Sequence, residues 1–261
     1  MTESPFLLRR EPPLVWIIVN RPAARNALTT AMWSQLANEI NAFVADADIR
    51  VIIISGAGDK SFISGADIGD LKAQLAQPEL VAESYRFTTA LMQAISDAPK
   101  PIIAMVNGHC LGGGVLIALA CDLRFASESA QFGVPAVKLG VAYPPEHGVA
   151  RLVNTVGATH ASDILLSGRT LDANEAWRIG LVNRVVGAEA LESTTRDYAL
   201  ALAQCAPLSL AAHKLAIQQT MRFARDTAAI EAAVMRCYRS ADCHEGLAAF
   251  LEKRAPNFTG K

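Results

Sequence analysis

A strand that runs into a glycine turn and opens directly into an apolar helix constrains this chain more than any other feature. It spans Pro101 to Asp122 and reads Pro-Ile-Ile-Ala-Met-Val-Asn-Gly-His-Cys-Leu-Gly-Gly-Gly-Val-Leu-Ile-Ala-Leu-Ala-Cys-Asp. Pro99 and Pro101 frame the strand Ile102–Val106, because proline cannot join a helix interior or donate to a central ladder. At the helix start, N–H groups without intrahelical partners point outward and the helix dipole favours negative charge. Glycines there let a ligand approach the backbone. The turn is not a dinucleotide fingerprint, since it reads Gly108-x-x-x-Gly-Gly-Gly and not G-x-G-x-x-G. Gly58-Asp59-Lys60-Ser61 is likewise spoiled as a phosphate loop by its aspartate. Taken alone, the cluster fits an anion site or a tight packing turn equally well.

The flanking segments alternate strand and helix. Val15–Val19 is β-branched and bounded by proline-containing turns, so it reads as a strand. From Thr30 to Val44 the residues Met32, Trp33, Leu36, Ile40, Phe43 and Val44 recur every three or four positions, one face of an amphipathic helix. Val51–Ile54 reads as a buried strand, Pro78 to Ser96 as a helix, and Leu123–Ala126 as another strand. Beyond Gly148 the pattern is mainly helical, broken at Gly157, Gly168, Gly180 and Gly187, with one strand at Leu181–Val186. Leu208–Arg225 and Ala228–Arg239 read as helices. The expectation is an α/β core with a C-terminal helical region, with the aromatic and Met residues on helices serving as ordinary core.

With 261 residues, 51% hydrophobic and 19% charged, the chain can bury a large core and is not disordered. A formal net charge of −1 gives no basic surface for nucleic acid. The apolar runs are too short to cross a bilayer, and Met1–Arg10 has the reverse polarity of a signal peptide. Five cysteines without framework spacing read as buried small hydrophobes in a reducing compartment, so a soluble cytoplasmic protein is expected. Cys243-His244 lacks metal-ligand spacing, a G-x-S-x-G elbow is absent, and no metal is expected.

A second motif, Ser61-Phe-Ile-Ser-Gly-Ala-Asp-Ile68, follows the Val51 strand. Together with Asn107 to Gly114 it resembles the enoyl-CoA hydratase/isomerase (crotonase) superfamily. The resemblance continues through Asn20-Arg21-Pro22, Asn26-Ala27-Leu28, Gln131-Phe132-Gly133, Leu139-Gly140, Gly168, Gly180-Leu181-Val182 and Glu245-Gly246 to Arg254, nearly the whole chain in order. It implies a spiral of ββα units over residues 1–190, carrying coenzyme A ester binding and the oxyanion hole. Residues 191–261 would then form a C-terminal helical region that builds a homotrimer or homohexamer. It also implies that the backbone N–H groups of Ala66 and Gly113 stabilise a thioester enolate, a kind of stabilisation that contributes several kcal/mol in a dry site. By the same resemblance, Ala24 and Arg25 contact the nucleotide of coenzyme A, and Ser64, Ala66, Asp67 and Ile68 line its adenine and pantetheine path. Phe250 and Lys253 match positions that reach a neighbouring subunit's ligand. For Arg25 and Lys253, a solvated surface charge remains the alternative. No permanently bound cofactor is implied; the acyl-CoA thioester is the substrate.

The departures from the pattern are as informative. Hydratases of the family activate water with two glutamates, and the matching positions here are Leu116 and Ala136. Neither side chain can act as acid or base, so ordinary hydration is not expected. The segment Gly140-Val-Ala-Tyr-Pro-Pro-Glu-His-Gly148 lies where the family loop reaches the acyl group. Two prolines stiffen it around Tyr143 and Glu146. Tyr143 has a parallel among members that decarboxylate malonyl-type thioesters. Glu146 is the better base by chemistry, or else caps the following helix. His109 reads as a structural hydrogen-bonding residue. Two functions follow as expectations: an acyl-CoA enzyme working through an enolate (a lyase or isomerase, with decarboxylation or thioester hydrolysis as the further alternatives), or an acyl-CoA-binding oligomer without chemistry.

Overall fold

The computed structural model describes residues 4–144, 148–220, 235 and 238–256. Two sheets carry the fold. The larger takes β1 (Phe6–Glu11), β2 (Leu14–Val19), β3 (Val51–Gly56), β5 (Ile102–Val106), β7 (Leu123–Ser127) and β10 (Arg184–Val186), in that spatial order. Only β1 is antiparallel to its neighbour. The smaller sheet orders β4 (Ser61–Ile63), β6 (His109–Leu111), β8 (Gln131–Gly133) and β9 (Thr170–Asp172). Successive strand pairs therefore place one member in each sheet before the next helix: β3 and β4 precede α2 (Ile68–Ala76) and α3 (Pro78–Asp97), and β5 and β6 precede α4 (Gly113–Ala120). β7 and β8 precede α5 (Val149–Ser167), and α6 (Ala173–Arg178) follows β9. This is the ββα spiral that the resemblance implied.

The apolar strands are continuous because both faces of the larger sheet are covered. Val15, Ile17, Ile52, Ile54, Ile102 and Ala104 enter the main core, which contains α4 and the inner face of α1 (Thr30–Ala45). The alternate residues Leu14, Trp16, Val51, Ile53, Ile103 and Phe125 pack instead with Leu191, Ala199 and Ala203 of α7 (Leu191–Ala203). Helix α4 is buried at every residue, so its N-terminus is fixed by packing on all sides. The buried Arg124 guanidinium donates to the Ala118 and Cys121 carbonyls at its C-terminal end, where the dipole favours a cation. Asp122 accepts from the Ile102 N–H at 2.7 Å and from Lys214 of α8 (Pro207–Thr220) at 2.8 Å, tying this end of α4 to β5 and α8. The last helix, α9 (Ala241–Glu252), packs on the turn Pro135–Gly140; a Cβ at Gly246 would stand 2.7 Å from the Leu139 carbonyl carbon.

Several expectations shift. Leu181 and Val182 are buried in a turn, and the strand begins only at Arg184. Cys205 is exposed while Cys110, Cys121 and Cys243 are buried, so the cysteines are not uniformly core. Leu208–Arg225 is helical as far as Thr220; its remainder and most of Ala228–Arg239 lie outside the described residues. Among the described residues no single helix is long and apolar enough to cross a membrane.

Candidate active site

Two backbone segments meet at glycines. Gly65 has φ +109°, a conformation closed to most side chains, and a Cβ there would stand 3.2 Å from the Leu111 carbonyl oxygen and 3.5 Å from the Gly113 nitrogen. At Gly114, a Cβ would collide with the Ile63 carbonyl oxygen. The loop after β4 thus lies directly on the start of α4, and only glycine permits that contact.

The hydrogen bonds then leave two donors over. Leu28 donates to the Gly65 carbonyl at 2.9 Å and accepts from the Asp67 N–H at 2.8 Å, forming a parallel bridge to Ala66. In such a bridge the middle residue turns its own N–H away from the partner strand. Gly113 is the first residue of α4, where no intrahelical acceptor exists. Among the described residues, neither the Ala66 nor the Gly113 N–H donates to a backbone acceptor. Both residues line one cavity of about 70 Å³, together with Trp33, Leu71, Gln74, Val81, Ser84, Tyr85, Thr88, Leu116, Val141, Tyr143, Pro144 and Tyr238. Two backbone N–H groups without a backbone acceptor among the described residues therefore belong to residues that border one mostly apolar cavity.

The neighbouring segments are pinned. Asn26, fully buried with φ 57°, donates to the Ala57 and Ser61 carbonyls and accepts from the Arg21 N–H. The Arg25 carbonyl receives the Ser61 hydroxyl at 2.8 Å and the Ser64 N–H at 3.2 Å, while the Arg25 side chain is exposed. Asp67 caps α2 by accepting from the Gly69 and Asp70 N–H groups and pairs with Arg21 at 2.9 Å. Burial pushes its carboxyl up, but Arg21 and the two N–H groups outweigh this and hold it below the ordinary value.

Of the predicted acid and base residues, Tyr143 lines the cavity, with its hydroxyl 3.6 Å from where a Gly112 Cβ would stand. Burial pushes the phenol up to about 12, so it stays protonated and can donate. Glu146 lies outside the described residues; on either side of it, Pro144 lines the cavity and Gly148 packs against Leu116. Leu116 is a cavity wall; Ala136 is buried in the turn Pro135–Leu139 before α5 and does not line the cavity. Burial also raises the Cys110 and Cys121 thiols, Cys121 to about 12, so neither is a ready nucleophile. Ala24, Ser64 and Ile68 are half-buried around this loop, outside the cavity wall. Phe250 and Lys253 are exposed at the end of α9, and a single chain does not bring them to the cavity.

Trp33 belongs to the main core, as its helical spacing predicts, and also lines the cavity with Tyr85, because α1 and α3 form its wall. One expectation needs correction. His109 makes its hydrogen bonds through its backbone, receiving the Ser61 hydroxyl on its carbonyl, while its buried Nδ1 has no partner among the described residues.

Fold and site together define a two-sheet ββα spiral with a mostly apolar cavity bordered by Ala66 and by Gly113 at the start of α4. The sequence matches the enoyl-CoA hydratase/isomerase family over residues 10–261, and the chain belongs to that family. It is 36% identical to a 2,3-dehydroadipyl-CoA hydratase of Escherichia coli K12, covering 99% of this chain and 100% of the relative. An enoyl-CoA hydratase/carnithine racemase from Magnetospirillum magneticum superposes with a TM-score of 0.80 at 35% identity, covering 100% of this chain and 97% of that one. A methylmalonyl-CoA decarboxylase in complex with 2-nitronate-propionyl-CoA superposes with a TM-score of 0.88 at 28% identity over the full length of both chains. The fold is therefore of the crotonase type.

Proposed function

We propose that this protein transforms an acyl-CoA thioester through an enolate held by the Ala66 and Gly113 N–H groups, and that water addition is not its principal reaction. One observation carries this reading: two free backbone donors open into a cavity whose wall at residue 116 is leucine. The donors favour any step that places negative charge on the thioester oxygen. Leu116 and Ala136 cannot activate water. Among the described residues lining the cavity, none is Asp, Glu, His, Lys or Arg.

Decarboxylation fits those residues. Breakage of the bond to an α-carboxylate sends its electron pair into the thioester as the enolate, carbon dioxide departs, and the α-carbon then takes a proton, so no base is required. In this reading Tyr143, neutral and beside Gly112, orients the group that leaves or relays that final proton. A base-dependent isomerisation would instead rest on Glu146. The residues assigned to coenzyme A (Ala24, Arg25, Ser64, Asp67 and Ile68 from this chain, Phe250 and Lys253 from a neighbouring copy) belong to the same proposal.

The test is a small panel of acyl-CoA esters (crotonyl, 3-enoyl, methylmalonyl and benzoyl) incubated in deuterated water and read by mass spectrometry. Deuterium at the α-carbon or loss of carbon dioxide is the expected result. Crotonyl-CoA hydration above roughly 1 per second at saturation would overturn the claim against hydration. Binding of the esters without any mass change would move the protein to the non-catalytic reading.

A further inference from the structure

A second cavity, of about 170 Å³, lies at the opposite end of α4 from Gly113, between that end, α5 and α8. Asp122, Arg124, Arg151, Thr155, Lys214 and Gln218 supply its polar lining. Arg124 and Lys214 are each only 8% exposed. The Lys214 ammonium spends its donors on the Ile95 and Lys100 carbonyls, both at 3.1 Å, and on Asp122 at 2.8 Å. Arg124 is not satisfied in this way. Its Nε donates to the Leu181 carbonyl at 2.7 Å and its Nη1 to the Ala118 and Cys121 carbonyls. Its Nη2 has no acceptor among the described residues, yet it is not sealed within the protein. An unsealed nitrogen on a side chain this buried opens into the cavity that the residue lines. The Thr155 hydroxyl and the Gln218 Nε2 also lack acceptors among the described residues, while Gln218 Oε1 receives Arg151 at 2.8 Å.

Charge points the same way. Arg124 and Lys214 outweigh Asp122 by one positive charge, even with Arg151 left out of the count. The C-terminus of α4 offsets roughly half a charge, and its Ala118 and Cys121 carbonyls already face Nη1. The surplus is reduced but not removed, and a buried cation without a counter-charge is costly. We infer that this cavity binds a small protonated oxyanion, of the bicarbonate or hydrogen phosphate class, through Arg124 Nη2, Thr155 and Gln218. Asp122 selects for the proton. Its Oδ2 accepts both the Ile102 N–H and Lys214, which leaves Oδ1 to accept the ion's own hydroxyl. Chloride carries no such proton and would meet the carboxylate as a bare like charge. The volume is several times the roughly 30 Å³ of one water and admits either oxyanion. The site is separate from the cavity at Gly113 and does not depend on the acyl-CoA reading.

The experiment is calorimetric titration of the full chain near neutral pH, in a sulfonate buffer at constant ionic strength, with sodium phosphate, sodium bicarbonate and sodium chloride. At least one of the two oxyanions is expected to saturate a single site per chain, and the tighter of them names the ion. Arg124→Lys keeps the charge but loses the third nitrogen, and should weaken that binding roughly tenfold. Thr155→Val, which removes one hydroxyl from a half-buried position, should weaken it about threefold and carries the test should the arginine variant fail to fold. Chloride binding as tightly as the better oxyanion would overturn the inference by showing that the cavity reads charge alone. So would the absence of saturable binding by either oxyanion. Binding that survives both substitutions but is lost in Arg25→Ala would place the ion at the segment assigned to coenzyme A, and would overturn it as well.

Discussion

At Gly113 a single methyl group would meet Trp33 Cη2 at 2.7 Å, and at Gly65 and Gly112 the backbone takes positive φ. Gly113→Ala should therefore cost about 1–3 kcal/mol of stability through overpacking. By displacing the donor it should lower turnover of the reacting ester on the order of a hundredfold. Thermal melts and steady-state kinetics on the same preparation check both. Tyr143 gives a prediction in pH. Its folded value of about 12 exceeds the ordinary 10.0, so the neutral phenol favours the fold and its contribution is complete below pH 10. That contribution is lost as pH rises from 10 toward 12. Melting temperature should accordingly fall less steeply over that interval in Tyr143→Phe than in the parent. The roles proposed for Ala66 and Gly113 are not legible from side-chain chemistry, because they would be backbone roles; motif resemblance points to them. That Trp33 borders the cavity as well as the core is hidden for another reason. A helix-spaced aromatic looks the same whether it faces a core or a cavity wall.

Helix α2 shows how an element holds the donors in place. Its N-cap, Asp67, follows Ala66 directly, accepts two N–H groups and pairs with Arg21. Asp67→Ala should destabilise by about 1–2 kcal/mol and weaken the reaction by loosening Ala66, whereas Asp67→Asn keeps the cap and should lose less. The carboxyl is held below its usual 3.8, so the stability it adds is present above that value and is lost as pH falls through the lower folded value. Urea midpoints of the three proteins between pH 3 and 7 measure this. The same helix is hard to read in the sequence, because Ile68–Ala76 is only nine residues long and its apolar face is reduced to Ile68, Leu71 and Leu75. The helix Thr30–Ala45 and the strands Val51–Gly56 and Ile102–Val106 were legible, since long periodic or β-branched runs carry their own signal. The four strands of the smaller sheet are three residues each, too short for an alternation to register; they exist because the larger sheet and α4 bring them together.

For the molecule as a whole, the described surface leaves apolar side chains at its C-terminal end. Leu208, Leu215 and Ile217 of α8 are 85%, 61% and 59% exposed, and Phe250 and Leu251 of α9 are 57% and 49% exposed. Helix α8 shows almost no burial of its own outer residues beyond Lys214 and Gln218, so its apolar positions are not explained by the single-chain core. Leu208 and Leu215 are seven residues apart and so share one side of the helix. They suit the assembly expected of residues 191–261, in which copies of the chain bury these faces against one another. Light scattering coupled to gel filtration should then report three or six times the subunit mass. Leu208→Glu with Leu215→Glu should shift that mass to the single chain while circular dichroism keeps its helical signal, because neither side chain contributes to the internal core. If Phe250 and Lys253 complete a neighbour's ligand site, the dispersed variant should also bind butyryl-CoA at least severalfold more weakly. A monomeric parent protein with undiminished ester affinity would remove the assembly and its shared site together.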